Sequence, residues 1–335
     1  MRHRAVTACL LVGVLAAPAH AQILRLTDMN TDQIRALDRA RTAVLIAGAP
    51  LEEHGPYLPA FTDGYWAERL TQEVAEGIAA RPGWAALMFP TIPLGTEGGN
   101  ETVGKYAFPG TYTVRPSTLR AVYMDLADDL GEQGFRWIFV LSVHGSLSHN
   151  RVLHDVEEYF FDQYKGRFVH LAMLVDADLQ RKIAATPPVQ LQRPPVASAG
   201  PHGGWVETSE MLFLVPHLVR SDYMTARAVP GGTDLEQLAK FAKSDDWLGY
   251  FGAPASATSA LGAELARVNG TYVRELALQI LDGLDPLTLP HRTDVLWSEV
   301  VSKSPTFQAM LKAFEEHEQQ SVERHQRWLT AHGKK

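Results

Sequence analysis

The feature that most constrains the fold is a regular exchange between short apolar runs and longer amphipathic ones. "TAVLIAG" (42–48), "WAALMFPTIPLG" (84–95), "RWIFVLSVHG" (136–145) and "RFVHLAMLVD" (167–176) are apolar throughout much of their length. Runs of this kind read as strands buried on both faces. Between them lie "YWAERLTQEVAEGIAAR" (65–81), "PSTLRAVYMDLADDLGEQG" (116–134) and "NRVLHDVEEYFFDQY" (150–164), whose apolar residues recur at helical spacing. Ser117 or Thr118 suits the N-cap of the second helix, and Gly131 or Gly134 lies near its end. Strands alternating with helices predict an α/β layer fold with a mostly parallel sheet.

The rest of the chain is less regular. Residues 186–204, rich in Pro, Gly and Ser, read as a long loop. A short helix is expected over 206–219, irregular chain over 221–255, and one helix or a broken pair over 260–284. A charged amphipathic helix over about 305–332 closes the sequence and reads as a packing or oligomer contact.

The N-terminus has a different character. "MRHR" is basic, "AVTACLLVGVLAA" is a short apolar run, and "AHA" ends at Ala21. That is the pattern of a secretory signal peptide, with Gln22 the first mature residue. It predicts an exported protein, periplasmic or secreted. The one cysteine, Cys9, leaves with the signal, so disulfides and thiolate ligands are excluded from the mature chain. Loss of Arg2 and Arg4 moves the formal charge from −7 to −9. With no basic stripe, nucleic acid and anionic membrane are not expected partners. The division expected is 1–21 signal peptide, 22–295 catalytic domain and 296–335 helical appendage.

"APLEEHGPYLPAFTDG" (49–64) then raises the question of chemistry, because it holds Glu52, Glu53, His54 and Asp63 on a loop stiffened by Pro56 and Pro59. It leaves directly from the end of an expected parallel strand, where α/β sheets place their ligands. Neighbouring side chains of an extended segment point opposite ways, so one of Glu52 and Glu53 is expected in the site, and Glu52 can share a face with His54. The run 136–143 delivers His144 and Gly145 to the same edge, and "GPHGGWVETSEML" supplies His202 and Glu207. Acids and imidazoles from three segments suit two divalent ions, which polarise a carbonyl and hold a water as hydroxide near neutral pH. Tyr57, Trp66, Tyr106, Tyr112 and Trp205 are candidates for an aromatic pocket or for packing. No G-x-S-x-G elbow occurs, and Ser209 has no evident base.

At these residues the sequence resembles the creatininase family of metal-dependent amidohydrolases. "EEHGPYLPAFTD" meets the family pattern E-x-H-G-P-x-L-P-x-x-T-D, and "FPGT" (108–111), "VHGS" (143–146) and "HGGWVETSEML" (202–212) are similar to further family segments. The resemblance spans about 40–285. It implies a three-layer α/β/α sandwich, a binuclear centre of Zn, Mn or Fe, and a homo-oligomer, in the family typically a hexamer. It places Glu52, His54, Asp63, His144 and Glu207 at metal-ligand positions, with Asp63 bridging, Glu52 and His144 on one ion, and His54 and Glu207 on the other. His202 falls where the family has a proton-donating histidine.

The departures bear on substrate. Creatininase has Tyr and Glu after the strand-end histidine, where this chain has Gly145 and Ser146. It has Trp-Asp before the loop histidine, at the positions of Ser198 and Ala199. Those residues hold the creatinine ring, so creatinine is not the expected substrate. The asparagine of the frequent H-G-G-N form is replaced by Leu147, with Asn150 able to serve after a small insertion. The function expected is an exported hydrolase that cleaves the C–N bond of a small, cyclic amide by metal-activated hydroxide. A lactonase or esterase on the same centre, or a non-catalytic periplasmic binding protein, are the alternatives.

Overall fold

The structure is a computed structural model that describes residues 22–185, 194, 200, 202–230, 235–299 and 301–334. The signal segment 1–21 and most of the 186–204 loop, with Ser198 and Ala199, lie outside the described residues.

The first half of the chain runs β1 (Gln22–Arg25), α1 (Thr31–Arg35), β2 (Thr42–Ala47), α2 (Thr62–Ala79), β3 (Ala85–Met88), α3 (Gly99–Thr102), α4 (Pro116–Glu132), β4 (Trp137–Leu141), α5 (Leu147–Tyr164) and β5 (Arg167–His170). The second half is helical: α6 (Ala177–Ala185), α7 (Trp205–Leu214), α8 (Leu235–Ala242), α9 (Ser259–Leu281), α10 (Arg292–Glu299) and α11 (Pro305–Ala331). The five strands form one sheet in the order β1-β3-β2-β4-β5, and every pairing is parallel. From β2 the chain steps outward to β3, then returns across β2 to β4. This reversal opens a crevice at the carboxyl ends of β2 and β4.

The period of two along each strand divides the core into two layers. Ala43, Leu45, Phe139 and Leu141 pack against Leu70, Val74 and Ile78 of α2 and Val273, Leu276 and Ile280 of α9. Val44, Ile46, Ile138 and Val140 face the other way, onto Leu119 and Tyr123 of α4 and Leu153, Val156 and Phe160 of α5. The result is the three-layer α/β/α sandwich. Each fully buried aliphatic side chain contributes about 1.5–3 kcal/mol, and the central strands are buried on both faces, so their sequence is apolar without alternation.

The boundaries differ from expectation where prolines and distant partners intervene. The second strand ends at Met88, because Pro90 and Pro93 follow. The fourth ends at His170 and turns into a 3-10 helix at Leu171–Met173. The stretch 221–255, expected to be irregular, contains α8, which buries Leu238, Ala239 and Ala242 on one face. The region 260–284 is one unbroken helix. β1 carries no pattern of its own and is ordered by pairing Ile23 with Ala86 of β3. Among the described residues no helix is long and apolar enough to cross a membrane.

The final helices fold back over the sheet edge. α11 buries Met310 and Phe314, and its His317 stacks on Tyr106 with ring centroids 3.6 Å apart. The Tyr106 hydroxyl donates to the Ala313 carbonyl at 3.2 Å.

Candidate metal centre

Each expected ligand stands at the end of a regular element. The loop after β2 is pinned by the Glu52 amide, which donates to the Ala60 carbonyl at 2.9 Å. Gly55 turns it at φ +71°, where a Cβ would strike the Tyr250 ring. The loop presents Glu52 and His54 and ends in the first turn of α2, where Asp63 meets the positive end of the helix dipole. β4 leads to His144. Asn150 of α5 fixes the following turn by donating to the His144 carbonyl at 3.1 Å and the Ser146 carbonyl at 2.6 Å. Glu207 lies in the first turn of α7, its carboxylate accepting from the Gly203 amide at 2.5 Å.

Four of these side chains gather around the fifth, Asp63. Asp63 Oδ2 lies 3.1 Å from His144 Nδ1, which is 3.0 Å from Glu52 Oε2. Asp63 Oδ1 lies 3.3 Å from His54 Nε2, which is 3.9 Å from Glu207 Oε2. Two triads therefore share Asp63: Glu52–Asp63–His144 and His54–Asp63–Glu207.

The donor chemistry fits cations. His54 Nδ1–H donates to the Glu52 carbonyl at 3.0 Å, so Nε2 turns its lone pair toward Asp63. That Nε2 is buried without a hydrogen-bond partner. His144 Nε2–H donates to the carbonyls of Thr96 and Glu97 at 3.0 and 3.2 Å, so Nδ1 likewise turns a lone pair to the carboxylates. Backbone carbonyls that fix the imidazole tautomer in this way are the usual outer support of histidine metal ligands. Lone pairs facing carboxylate oxygens in a buried space repel unless positive charge lies between them.

Protons would answer the same demand for positive charge in place of cations, and the titration behaviour follows it. Burial and His202 press His54 down, but Asp63 and Glu207 prevail and it is pushed up to about 8. Burial also opposes charge on His144, yet Glu52 and Asp63 hold it well above the ordinary range. Asp63 is penalised by burial but held well below the usual carboxylate range by His144 and His54. Glu52 is lowered, against burial, by His144 and His202. Burial raises Glu207, and raises Glu210 further with Glu207 and Asp63 close by.

His202 sits at the rim, its ring 4.3 Å from that of His54 and its Nδ1 3.9 Å from Glu52 Oε1. Its Nε2–H donates to the Glu53 carbonyl, and Glu53 Oε1 lies 3.4 Å away. Gly203 follows at φ +64°, where a Cβ would meet Tyr250 at 2.7 Å.

Two residues here escaped the sequence. Glu53, expected to point away, is buried against His202 because protein covers both sides of its loop. Glu97, at φ +60°, gives its carbonyl to His144 and accepts from Ser146 Oγ at 2.7 Å through its carboxylate. No motif marks either; only the nearness of β2 to β3 and of its loop to the 202 segment would have shown them. The aromatic candidates serve packing: Tyr57 against Tyr250, Tyr106 on His317, and Trp205 beside Leu261, while Trp66 is core and Tyr112 is exposed. Ser209 ties helices together, donating to the Trp205 carbonyl and accepting from the Thr258 amide.

The creatininase family, described as creatinine amidohydrolase, matches residues 27–277. The mycofactocin precursor peptide peptidase of Mycolicibacterium smegmatis is 26% identical over 259 residues, covering 75% of this chain and 91% of that protein. The crystal structure of a creatinine amidohydrolase (creatininase) superposes with a TM-score of 0.57 at 18% identity, over 77% of this chain and 98% of its own. A manganese creatininase gives a TM-score of 0.54 at 16% identity, over 78% and 99%. At such identity the solved structures speak to fold, while the match across most of the sequence speaks to descent: the chain belongs to the creatininase family of metal-dependent amidohydrolases.

Proposed function

We propose that the chain is an exported amidohydrolase with a binuclear centre, cleaving the C–N bond of a small amide other than creatinine, in the family's manner a cyclic one. Glu52, Asp63 and His144 would hold one divalent ion, and Asp63, His54 and Glu207 the other, with Zn, Mn or Fe suited to mixed carboxylate and imidazole donors. The observation that carries this reading is Asp63, whose two oxygens each face a different imidazole lone pair, at 3.1 and 3.3 Å. Two divalent ions so held would supply carbonyl polarisation and a water acidified toward neutral pH.

The protein's own part is placement and proton movement. The Glu53 carbonyl holds His202 through Nε2, which turns Nδ1 toward the cage, 3.9 Å from Glu52 Oε1. Burial opposes a charged imidazole there, but Glu52 and Glu53 raise His202 well above its ordinary range, which suits a proton donor. It gives that proton to the departing nitrogen. Gly145 offers no side chain to the cavity, and Ser146 is engaged by Glu97. This supports a substrate other than creatinine. Residues 1–21 supply the argument for export, and the homo-oligomer, a hexamer, follows the family.

Elemental analysis of metal-replete protein is expected to give two divalent ions per chain. Asp63→Ala is expected to lose both metal and turnover while keeping its circular dichroism; metal-free wild-type protein that still hydrolyses would overturn the reading. A panel of cyclic amides, linear amides and lactones separates C–N from C–O cleavage. N-terminal sequencing of the exported protein is expected to begin at Gln22.

A further inference from the structure

The family match ends at residue 277, and the chain continues to residue 335. That continuation reaches back to the metal centre. A cavity of about 440 Å³ opens above Glu52, Asp63, His144, His202 and Glu207. Leu296 of α10 and Phe307 and Met310 of α11 also line it. Leu238 of α8 and Phe251 stand with them, both buried. The lining thus joins the cluster of acids and imidazoles to a set of apolar side chains. Arg292, at the start of α10, lines the same space and makes no ion pair among the described residues.

A cavity of this size holds more than a small polar ring, and its apolar wall rewards only a ligand that covers it with apolar surface. The guanidinium is a planar fork that matches a carboxylate with two parallel hydrogen bonds. We propose that Arg292, Leu296, Phe307 and Met310 form a substrate subsite, taking an amide of an apolar amino acid whose carboxylate is free. Leu296, Phe307 and Met310 receive the apolar side chain, and Arg292 receives the carboxylate. The inference rests on the hydrolase reading and adds the class of molecule. In the reaction, the oxygen of water bonds to the acyl carbon, the C–N bond breaks, and the nitrogen leaves with a proton. The products are a carboxylic acid and an apolar amino acid, with no other reactant. Open amides and lactams bearing the carboxylate satisfy the same contacts.

The experiment uses the full metal-replete chain and three probes: N-acetyl-L-phenylalanine, N-acetylglycine and N-acetyl-L-phenylalaninamide. Binding is read by calorimetry and hydrolysis by amine release. The wild type is expected to bind the first probe at least tenfold more tightly than either of the others, since N-acetylglycine lacks the benzyl group that would cover the apolar wall and the amide lacks the charge that would pair with Arg292. Leu296→Ala and Phe307→Ala are each expected to cut the preference over N-acetylglycine at least threefold. Arg292→Gln is expected to abolish the preference over the amide, and Arg292→Lys to restore part of it. Leu296 is solvent-facing on one side, so its variant tests the wall even if Phe307→Ala unseats the helix. Wild-type preferences near one, or preferences that survive all the variants, overturn the subsite. Preferences without turnover of any probe uphold the subsite and count against the hydrolase; turnover without preferences does the reverse.

Discussion

Gly262 on α9 is the point where packing and chemistry meet most directly. A Cβ built there would lie 1.9 Å from the Ser209 carbonyl oxygen and 2.8 Å from the Phe213 Cβ, both on α7. Ordinary contact is about 3.4 Å, so Gly262→Ala must part the helices by roughly 1.5 Å. Neither neighbouring atom can rotate away, since one is backbone and the other is a Cβ. Alanine gains up to about 1 kcal/mol of helix propensity. Overpacking of this kind costs about 1–3 kcal/mol and reaches the upper end where backbone must move. The expected balance is a loss of about 2 kcal/mol, or a fall of about 3 °C in melting temperature for a chain of this length. The consequence at the site is larger. α7 carries Glu207 in its first turn, and metal ligands must sit within about 0.2 Å of their place. Thermal unfolding and metal analysis on the same preparation are therefore expected to show a lower melting temperature and, on the proposed two-ion reading, a stoichiometry falling from two ions toward one. A melting temperature that rises would show that the helices do not touch as closely as the structure has them. A fall with both ions retained would break the link between α7 packing and Glu207.

Three further outcomes are expected. Glu53→Gln should lower kcat at least tenfold with metal content unchanged, because it removes the carboxylate charge 3.4 Å from His202 Nε2 and leaves the cage alone; unchanged kcat in a hydrolysis assay would remove Glu53 from the site. Metal chelation should lower stability by about 4 kcal/mol for each ion that had been present at a thousandfold excess over its dissociation constant, and differential scanning calorimetry with and without chelator measures it. His170 is fully buried, with Nε2–H donating to the Ser142 carbonyl at 3.1 Å, and burial first, then the nearby His291 and His154, lower it to about 3. Since the folded value lies below the unfolded one of about 6.5, the native state binds fewer protons. Its contribution is complete above pH 6.5 and is lost at about 1.4 kcal/mol per unit as pH falls toward 3. Denaturant unfolding at pH 7 and 4.5 should show wild type losing about 3 kcal/mol more than His170→Gln; parallel losses would place that histidine outside the linkage.

What the sequence could reveal depended on how local each constraint is. The cage was legible because Glu52, His54 and Asp63 share one loop, and because strand ends in an α/β fold have a known destination. Asn150 was legible as a substitute for Leu147 for the same reason, since both belong to the first turn of α5, and the structure has its amide on the His144 carbonyl. Glu53 was not legible, because the alternation argument assumes that one face of an extended segment looks to solvent. Here Gly55 bends the chain and His202 covers the second face, so both acids are inside. Glu97 depends on the placement of β3 beside β2, which no stretch of residues near it encodes.

The C-terminal helix shows the limit most clearly. Its apolar stripe at Phe307, Met310 and Phe314 declares that one side is covered, and an amphipathic pattern says no more than that. Whether the covering surface is a second subunit or the mouth of a catalytic cavity is decided by Tyr106 and α8, more than sixty residues away in the chain. The same stripe that supports a packing role also fits a wall over the metal cage, because hydrophobic burial is indifferent to which surface provides it. Function in this segment therefore follows from where the helix is seated. A variant that unseats it by removing the Tyr106 ring should alter substrate preference while leaving the five cage residues in place.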